Sequence, residues 1–207
     1  DDEIVLDFAA KVIDNDGDTA TATISITVDD DGPEISSAQN VVDETDGNQV
    51  VTGNVSFDGG FDGVEEFCAM GDFDSSGSQL GGTLTSNGVD VDVNYDAATG
   101  TYTGTAGTET IFTMTVNDDG SYAFELTGTL DHADPDNAND IINLDFGTKV
   151  EDKDGDTAES FIRILVKDDV PTIGDSSGDV DETNFDNGPL VYNDVLNTNF
   201  GADVSEI

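Results

Sequence analysis

An acidic turn, D-N-D-G-D-T-A at residues 14–20, returns 138 residues later as D-K-D-G-D-T-A at residues 152–158, and apolar residues flank each copy at alternate positions. Ile4, Leu6, Phe8, Ala10 and Val12 precede the first copy. Ala20, Ala22, Ile24, Ile26 and Val28 follow, alternating with Thr21, Thr23, Ser25 and Thr27. A period of two is that of a strand with one buried face, so each copy is predicted to be a β-hairpin closed by an acidic loop. The later copy keeps the apolar face as Ile142, Leu144, Phe146 and Val150, then Ala158, Ile162, Ile164 and Val166. Its opposite face changes to Glu159, Phe161, Arg163 and Leu165, so the retained face is the expected core.

The same offset extends past the hairpins. Asp30-Asp31-Gly32-Pro33 matches Asp168-Asp169-Val170-Pro171, and V-D-E-T at residues 42–45 matches residues 180–183. Proline cannot continue a central strand, so the Asp-Asp-x-Pro segments read as junctions. Solenoid units repeat about every 20 to 50 residues, so a period this long implies a whole domain in tandem. The expected organisation is a closing hairpin of one unit at 1–31, a complete unit at 32–169 and the opening of another at 170–207. Within 32–169, strands are expected at 49–57, 89–95, 101–105, 111–117 and 121–128, with N-D-D-G at 117–120 as a hairpin turn. The glycine-rich spans 58–63 and 71–82 read as loops. Seven to ten short strands with no helix predict an all-β sandwich.

Charge limits what such a sandwich can do. The 207 residues carry 47 acids against 5 bases, a net charge of −42, which excludes nucleic acid as a partner. Two carboxylates ~4 Å apart repel by ~4 kcal/mol at an effective dielectric of ~20, so the fold calls for cations. High charge with low hydrophobicity is also the signature of disorder. Against disorder stand the 35% hydrophobic content, the 11 phenylalanines and the clean alternation. No apolar run reaches the ~18 residues a membrane-spanning helix needs, and no leader opens the chain at Asp1, so a soluble chain without membrane insertion is expected. Cys68 is the single cysteine, which rules out an intrachain disulfide and leaves a small buried hydrophobe as its expected role. His132, the single histidine, has no nucleophile motif beside it, so no enzyme activity is expected.

Three aspartates at alternate positions of a turn converge on one point, as the first ligands of an EF-hand loop do. Asp14, Asp16 and Asp18, with their copies Asp152, Asp154 and Asp156, are the leading metal ligands. The loop is not an EF-hand. Its glycine is fourth instead of sixth, Ser25 and Arg163 stand where the twelfth-position glutamate belongs, and a strand follows where a helix would. Further donors must come from elsewhere: the junction acids Asp30 and Asp31 with copies Asp168 and Asp169, Asp43 and Glu44 with copies Asp181 and Glu182, and turn carbonyls. A second acidic cluster, Asp131, Asp134, Asp136 and Asp140, is another candidate. An all-oxygen, carboxylate-rich set on a flexible loop favours Ca²⁺ over zinc, copper or Mg²⁺.

The succession L-D-H, I-N-L-D-F, D-K-D-G-D-T-A, I-R-I-L-V-K-D-D-V-P and V-D-E-T, together with N-D-D-G-S-Y-A-F-E-L at 117–126, resembles the tandem repeat of giant RTX-type adhesins exported by type I secretion. The resemblance spans the chain and implies an Ig-like or cadherin-like β-sandwich extender with Ca²⁺ at its edges and linkers, held on a bacterial cell surface. Its partners would be neighbouring repeats, and through other regions host-cell, glycan or biofilm-matrix ligands. Cys68 is unusual for such proteins, and the glycine-rich nonapeptide of the export end is absent from these residues. Two other readings compete. One is a Ca²⁺-dependent carbohydrate or peptide binder using Phe73, Tyr95 and Tyr102; the other is a filament subunit that exchanges strands between chains.

Overall fold

Alternating inward residues organise the middle of the chain, residues 38–167, into two facing sheets. The computed structural model describes residues 3–46, 48–134, 137–178 and 196–199. In chain order the strands are β1 (Glu3–Ile13), β2 (Thr19–Asp29), β3 (Glu34–Ile35), β4 (Ala38–Asp43), β5 (Gln49–Asn54), β6 (Phe57–Asp58), β7 (Val64–Gly77) and β8 (Thr85–Ser86). They continue as β9 (Val89–Asp96), β10 (Thr101–Ala106), β11 (Glu109–Val116), β12 (Ser121–Leu126), β13 (Ile141–Asp152), β14 (Thr157–Lys167), β15 (Thr172–Ile173) and β16 (Thr198–Asn199). One sheet has six strands in the order β5-β12-β11-β10-β9-β8, and the other has four in the order β4-β14-β13-β7. β1-β2, β3-β6 and β15-β16 are separate two-stranded pairs. The described residues include no α-helix, and the protein is an all-β sandwich.

The inner faces meet in an aromatic centre. Phe146 on β13 lies 5.1 Å from Tyr102 on β10, 6.0 Å from Phe112 on β11 and 6.1 Å from Phe124 on β12, ring centre to ring centre. All four side chains are fully buried. Ile142, Leu144 and Val150 on β13 and Ile162, Ile164 and Val166 on β14 extend the same layer. The Tyr102 hydroxyl accepts a bond from Gly71 N (3.0 Å) and donates to Gly147 O (3.2 Å), tying one sheet to the other. Burial pushes its pKa up to about 12.

Besides the two-residue strands β3, β8, β15 and β16, two longer strands depart from the sequence expectation. The span 71–77, read as loop, is the second half of β7, which pairs antiparallel with β13 along its length. Its polar, glycine-rich sequence is tolerated because β7 is an edge strand, and the ladder slips at Phe146/Thr148. There Gly71 adopts φ +82 and lies against the Tyr95 ring, a conformation and a contact open only to glycine. β4, also absent from the sequence reading, pairs parallel with β14. The 117–120 turn is as expected, with Gly120 N bonded to Asn117 O at 2.9 Å. Cys68 is half-buried on β7 instead of buried, and burial raises its thiol pKa.

The first hairpin forms as expected, with Phe8 opposite Ile24 and Leu6 opposite Ile26. Its apolar face is nevertheless exposed: Phe8 is 51% accessible, whereas its repeat counterpart Phe146 is fully buried. Sequence alternation marks a face that must be covered, and no strand among the described residues covers β1 and β2.

Two outcomes follow. Phe146→Ala should cost about 3–5 kcal/mol in urea denaturation, while Phe8→Ala, at the same repeat position, should change the midpoint by no more than about 0.5 kcal/mol. Tyr102→Phe leaves the Gly71 amide and the Gly147 carbonyl without their partner, a loss of about 1–3 kcal/mol. Because folding raises the Tyr102 pKa, its contribution is full below pH ~10 and is lost as pH rises toward the folded value. Alkaline melts of the wild type should show this loss, and those of Tyr102→Phe should show less of it, the remainder coming from Tyr95 and Tyr122, whose pKa values burial also raises.

Candidate metal centre

Strand alternation explains where the acids end up. On β13 the buried positions run Ile142, Leu144, Phe146, Thr148, Val150 and then Asp152, which is 1% exposed. Asp152 is therefore an inward residue at the end of a core strand. The chain turns immediately after it, with Gly155 at φ +104, as Gly17 is at φ +97 in the first copy. The Asp152 Oδ1 accepts bonds from Gly155 N (3.0 Å) and Asp156 N (2.8 Å), and Asp152 N donates to Asp156 O at 3.0 Å. In the first turn Asp18 N donates to Asp14 Oδ1 at 2.8 Å and Asp14 N to Asp18 O at 3.0 Å. One backbone geometry thus serves both copies.

The turn brings its three carboxylates together. Oxygens of Asp152, Asp154 and Asp156 lie within 4.8 Å of one another, as do those of Asp14, Asp16 and Asp18. A third group joins parts of the chain far apart in sequence: Asp30 from the junction, Asp62 from the loop between β6 and β7, and Asp154 from the turn, again within 4.8 Å. Asp154 belongs to both groups of the second turn. That loop is fastened to the turn by Lys153 N donating to Gly63 O at 3.2 Å. It is fastened to the junction by Phe61 N donating to Asp31 Oδ2 at 2.7 Å.

The electrostatics record the crowding. Without a cation, Asp154 shares a hydrogen bond with Asp152 and its pKa rises to about 6, with the charges of Asp152, Asp30 and Asp62 adding to the effect. The same bond holds Asp152 below the usual carboxylate value, and Asp14 is lowered likewise by its bond with Asp16. With both carboxyls ionised there is no proton to share, and the buried Asp152 Oδ2 has no hydrogen-bond partner. A buried carboxylate oxygen is costly to leave in that condition, and a cation seated among these oxygens would satisfy it.

The other predicted ligands fall elsewhere. Asp43 accepts bonds from Thr45 N (3.0 Å) and from Lys167 Nζ (3.3 Å); burial acts to raise its pKa, and these bonds bring it below the usual value. Asp131 caps the turn between β8 and β9 by accepting from Asn87 N (2.9 Å) and Gly88 N (2.8 Å). Asp140 is buried, and its Oδ2 accepts from Asp134 N at 3.0 Å. Asp131, Asp134 and Asp140 do not form a three-carboxylate group among the described residues. Asp136, Asp181 and Glu182 lie outside the described residues. At the far end of the sandwich, buried Asp168 joins Glu44 and His132, and Asp169 is buried beside it.

Two members of these groups escaped the sequence reading. Asp62 sits in a glycine-rich loop whose spacing carries no ligand signal. His132 lies two residues past the buried Leu130, a phase that could have placed it inside. Of the aromatic set considered for ligand capture, Tyr102 is fully buried, while Tyr95, which donates to Ala69 O at 2.9 Å, and Phe73, 5.3 Å from Phe146, are half-buried. No protein-family model and no curated protein matches the chain.

The two sets of acids should separate in chelator. Asp152→Ala removes the acceptor of two turn amides and is expected to lower the urea midpoint with no cation present. Asp62→Asn relieves repulsion there and is expected to leave that midpoint unchanged or raised, as read by circular dichroism.

Proposed function

We propose that this chain is a calcium-stiffened extender segment of a large RTX-type bacterial surface adhesin, exported by type I secretion and rigidified outside the cell to project binding regions for adhesion or biofilm formation. The observation that carries this reading is the Asp30–Asp62–Asp154 group, in which a junction acid meets two loops of the sandwich that follows it. The residues suit the ion. All donors are oxygens, the turn closes through Gly155 at φ +104, and the orphaned Asp152 Oδ2 lies among them. Asp30, Asp62, Asp152, Asp154 and Asp156 would hold Ca²⁺ at this end, and Asp14, Asp16 and Asp18 would do so on the first hairpin. Bound Ca²⁺ supplies positive charge that cancels carboxylate repulsion and fixes the angle between the junction and the sandwich.

The first hairpin supports the tandem arrangement. Its exposed residues Leu6, Phe8 and Ile24 occupy the repeat positions of the buried Leu144, Phe146 and Ile162, as the closing hairpin of another unit would. Phe61, fully exposed on the loop that carries Asp62, is a further apolar contact suited to a neighbouring unit. The boundaries in this reading are 1–31, 32–169 and 170–207. Extracellular modules of this type bind Ca²⁺ with Kd of ~10⁻⁴ to 10⁻³ M, so the chain would stay loose in calcium-poor cytosol and stiffen outside.

Millimolar Ca²⁺ should raise the melting temperature of the chain and narrow its distribution of dimensions in small-angle scattering, and chelation should reverse both. Asp62→Asn is expected to blunt the response. A melt insensitive to chelator would overturn the proposal.

A further inference from the structure

Three inward positions converge at the end of the sandwich opposite the acidic turn. Glu44 lies two residues past the buried Val42 at the end of β4, Asp168 two past the buried Val166 at the end of β14, and His132 two past the buried Leu130. Val42 and Val166, then Asp43 and Lys167, are direct partners in the parallel β4–β14 ladder, so the two strand ends deliver Asp168 and Glu44, the first residue of a 3-10 turn, side by side. Glu44 is 3% exposed, His132 8% and Asp168 5%. Their ligating atoms lie within 4.8 Å of one another, with His132 Nε2 3.7 Å from Glu44 Oε2.

The backbone holds this constellation from several directions. Glu44 Oε1 accepts from Leu130 N at 2.8 Å. His132 is bridged to Gln79, with Leu80 N bonded to Asp131 O and Ala133 N to Ser78 O, both at 3.0 Å. Asp168 N donates to Asp140 O at 3.0 Å. The neighbouring ammonium of Lys167, one residue out of phase, turns outward to Asp43 Oδ2.

Charge decides what the cluster is suited to hold. Glu44 and Asp168, with Asp140 and Asp169 also buried at this end, put more negative charge here than one imidazolium balances, and a divalent cation beside a neutral imidazole offsets more of it. The imidazole nitrogen separates this set from the oxygen-only groups and selects a borderline metal over Ca²⁺. Tetrahedral bonds of ~2.0 Å place ligand atoms ~3.3 Å apart, close to the observed Glu44–His132 separation. We propose that Glu44, His132 and Asp168 form an internal centre for a divalent transition metal of the Zn²⁺ class, which clamps β4, β14 and the 130–132 segment at this end of the core. The centre does not rest on the calcium reading.

The test uses the untagged full chain saturated with millimolar Ca²⁺ and titrated with Zn²⁺. His132 is the only histidine, so its ring signals in nuclear magnetic resonance report this site alone. One equivalent of Zn²⁺ should shift them in slow exchange, and Co²⁺ in its place should give visible d–d absorption. His132→Gln should weaken Zn²⁺ binding at least ~100-fold, beyond the 10- to 100-fold typical of losing an outer partner. A cooperative melt and wild-type β-sheet circular dichroism show that the variant folds. Ring signals unmoved by Zn²⁺ in the wild type, or Zn²⁺ binding equal in wild type and His132→Gln, would overturn the centre. A ring that titrates as an imidazolium indifferent to Zn²⁺ would assign the cluster to an ion pair and overturn it equally.

Discussion

Burial of the inner face of the β13–β14 hairpin against the six-stranded sheet is the interaction on which the rest of the structure depends. Phe146 touches the rings of Tyr102, Phe112 and Phe124, and the aliphatic residues on either side fill the layer between the sheets. Fully burying side chains of this size contributes about 1.5–3 kcal/mol each, so the hairpin anchors the sandwich. The hairpin also carries the acids. Period-two alternation does not stop at the last apolar residue, and Asp152 and Asp168 inherit the inward phase of Val150 and Val166.

The two ends of the sandwich therefore hold acids of different character. At the turn end, Asp152, Asp154 and Asp156 meet the junction acid Asp30 and the loop acid Asp62 in an oxygen-only environment. At the other end Asp168, the repeat counterpart of Asp30, is buried with Glu44 and an imidazole. One position of the 138-residue sequence repeat is thus seen once just before the sandwich, as Asp30, and once at the end of its β14 strand, as Asp168. With 5 basic residues in the chain, and Lys149, Arg163 and Lys167 already paired with Glu151, Asp145 and Asp43, side chains supply little of the positive charge these ends call for. The Arg163–Asp145 pair is bidentate, at 2.7 and 2.6 Å, and lies on the outward face of the anchoring hairpin.

The sequence by itself determined the strands whose alternation is clean, the hairpin turns and the convergence of carboxylates within each D-x-D-G-D loop. These depend on neighbours a few residues apart, so spacing carries the information. β7 was hidden because an edge strand needs an apolar residue only where it meets the core, and its polar, glycine-rich half reads as loop. Only the tertiary structure decided that Asp62 would reach Asp30 and Asp154, that Asp31 would hold the Phe61 amide, and that His132 would sit between Glu44 and Asp168. It also decided that one copy of the apolar face is buried while the other is exposed. Identical alternation states which face seeks cover, but cover comes from strands distant in the chain, and local spacing cannot encode which of them arrive.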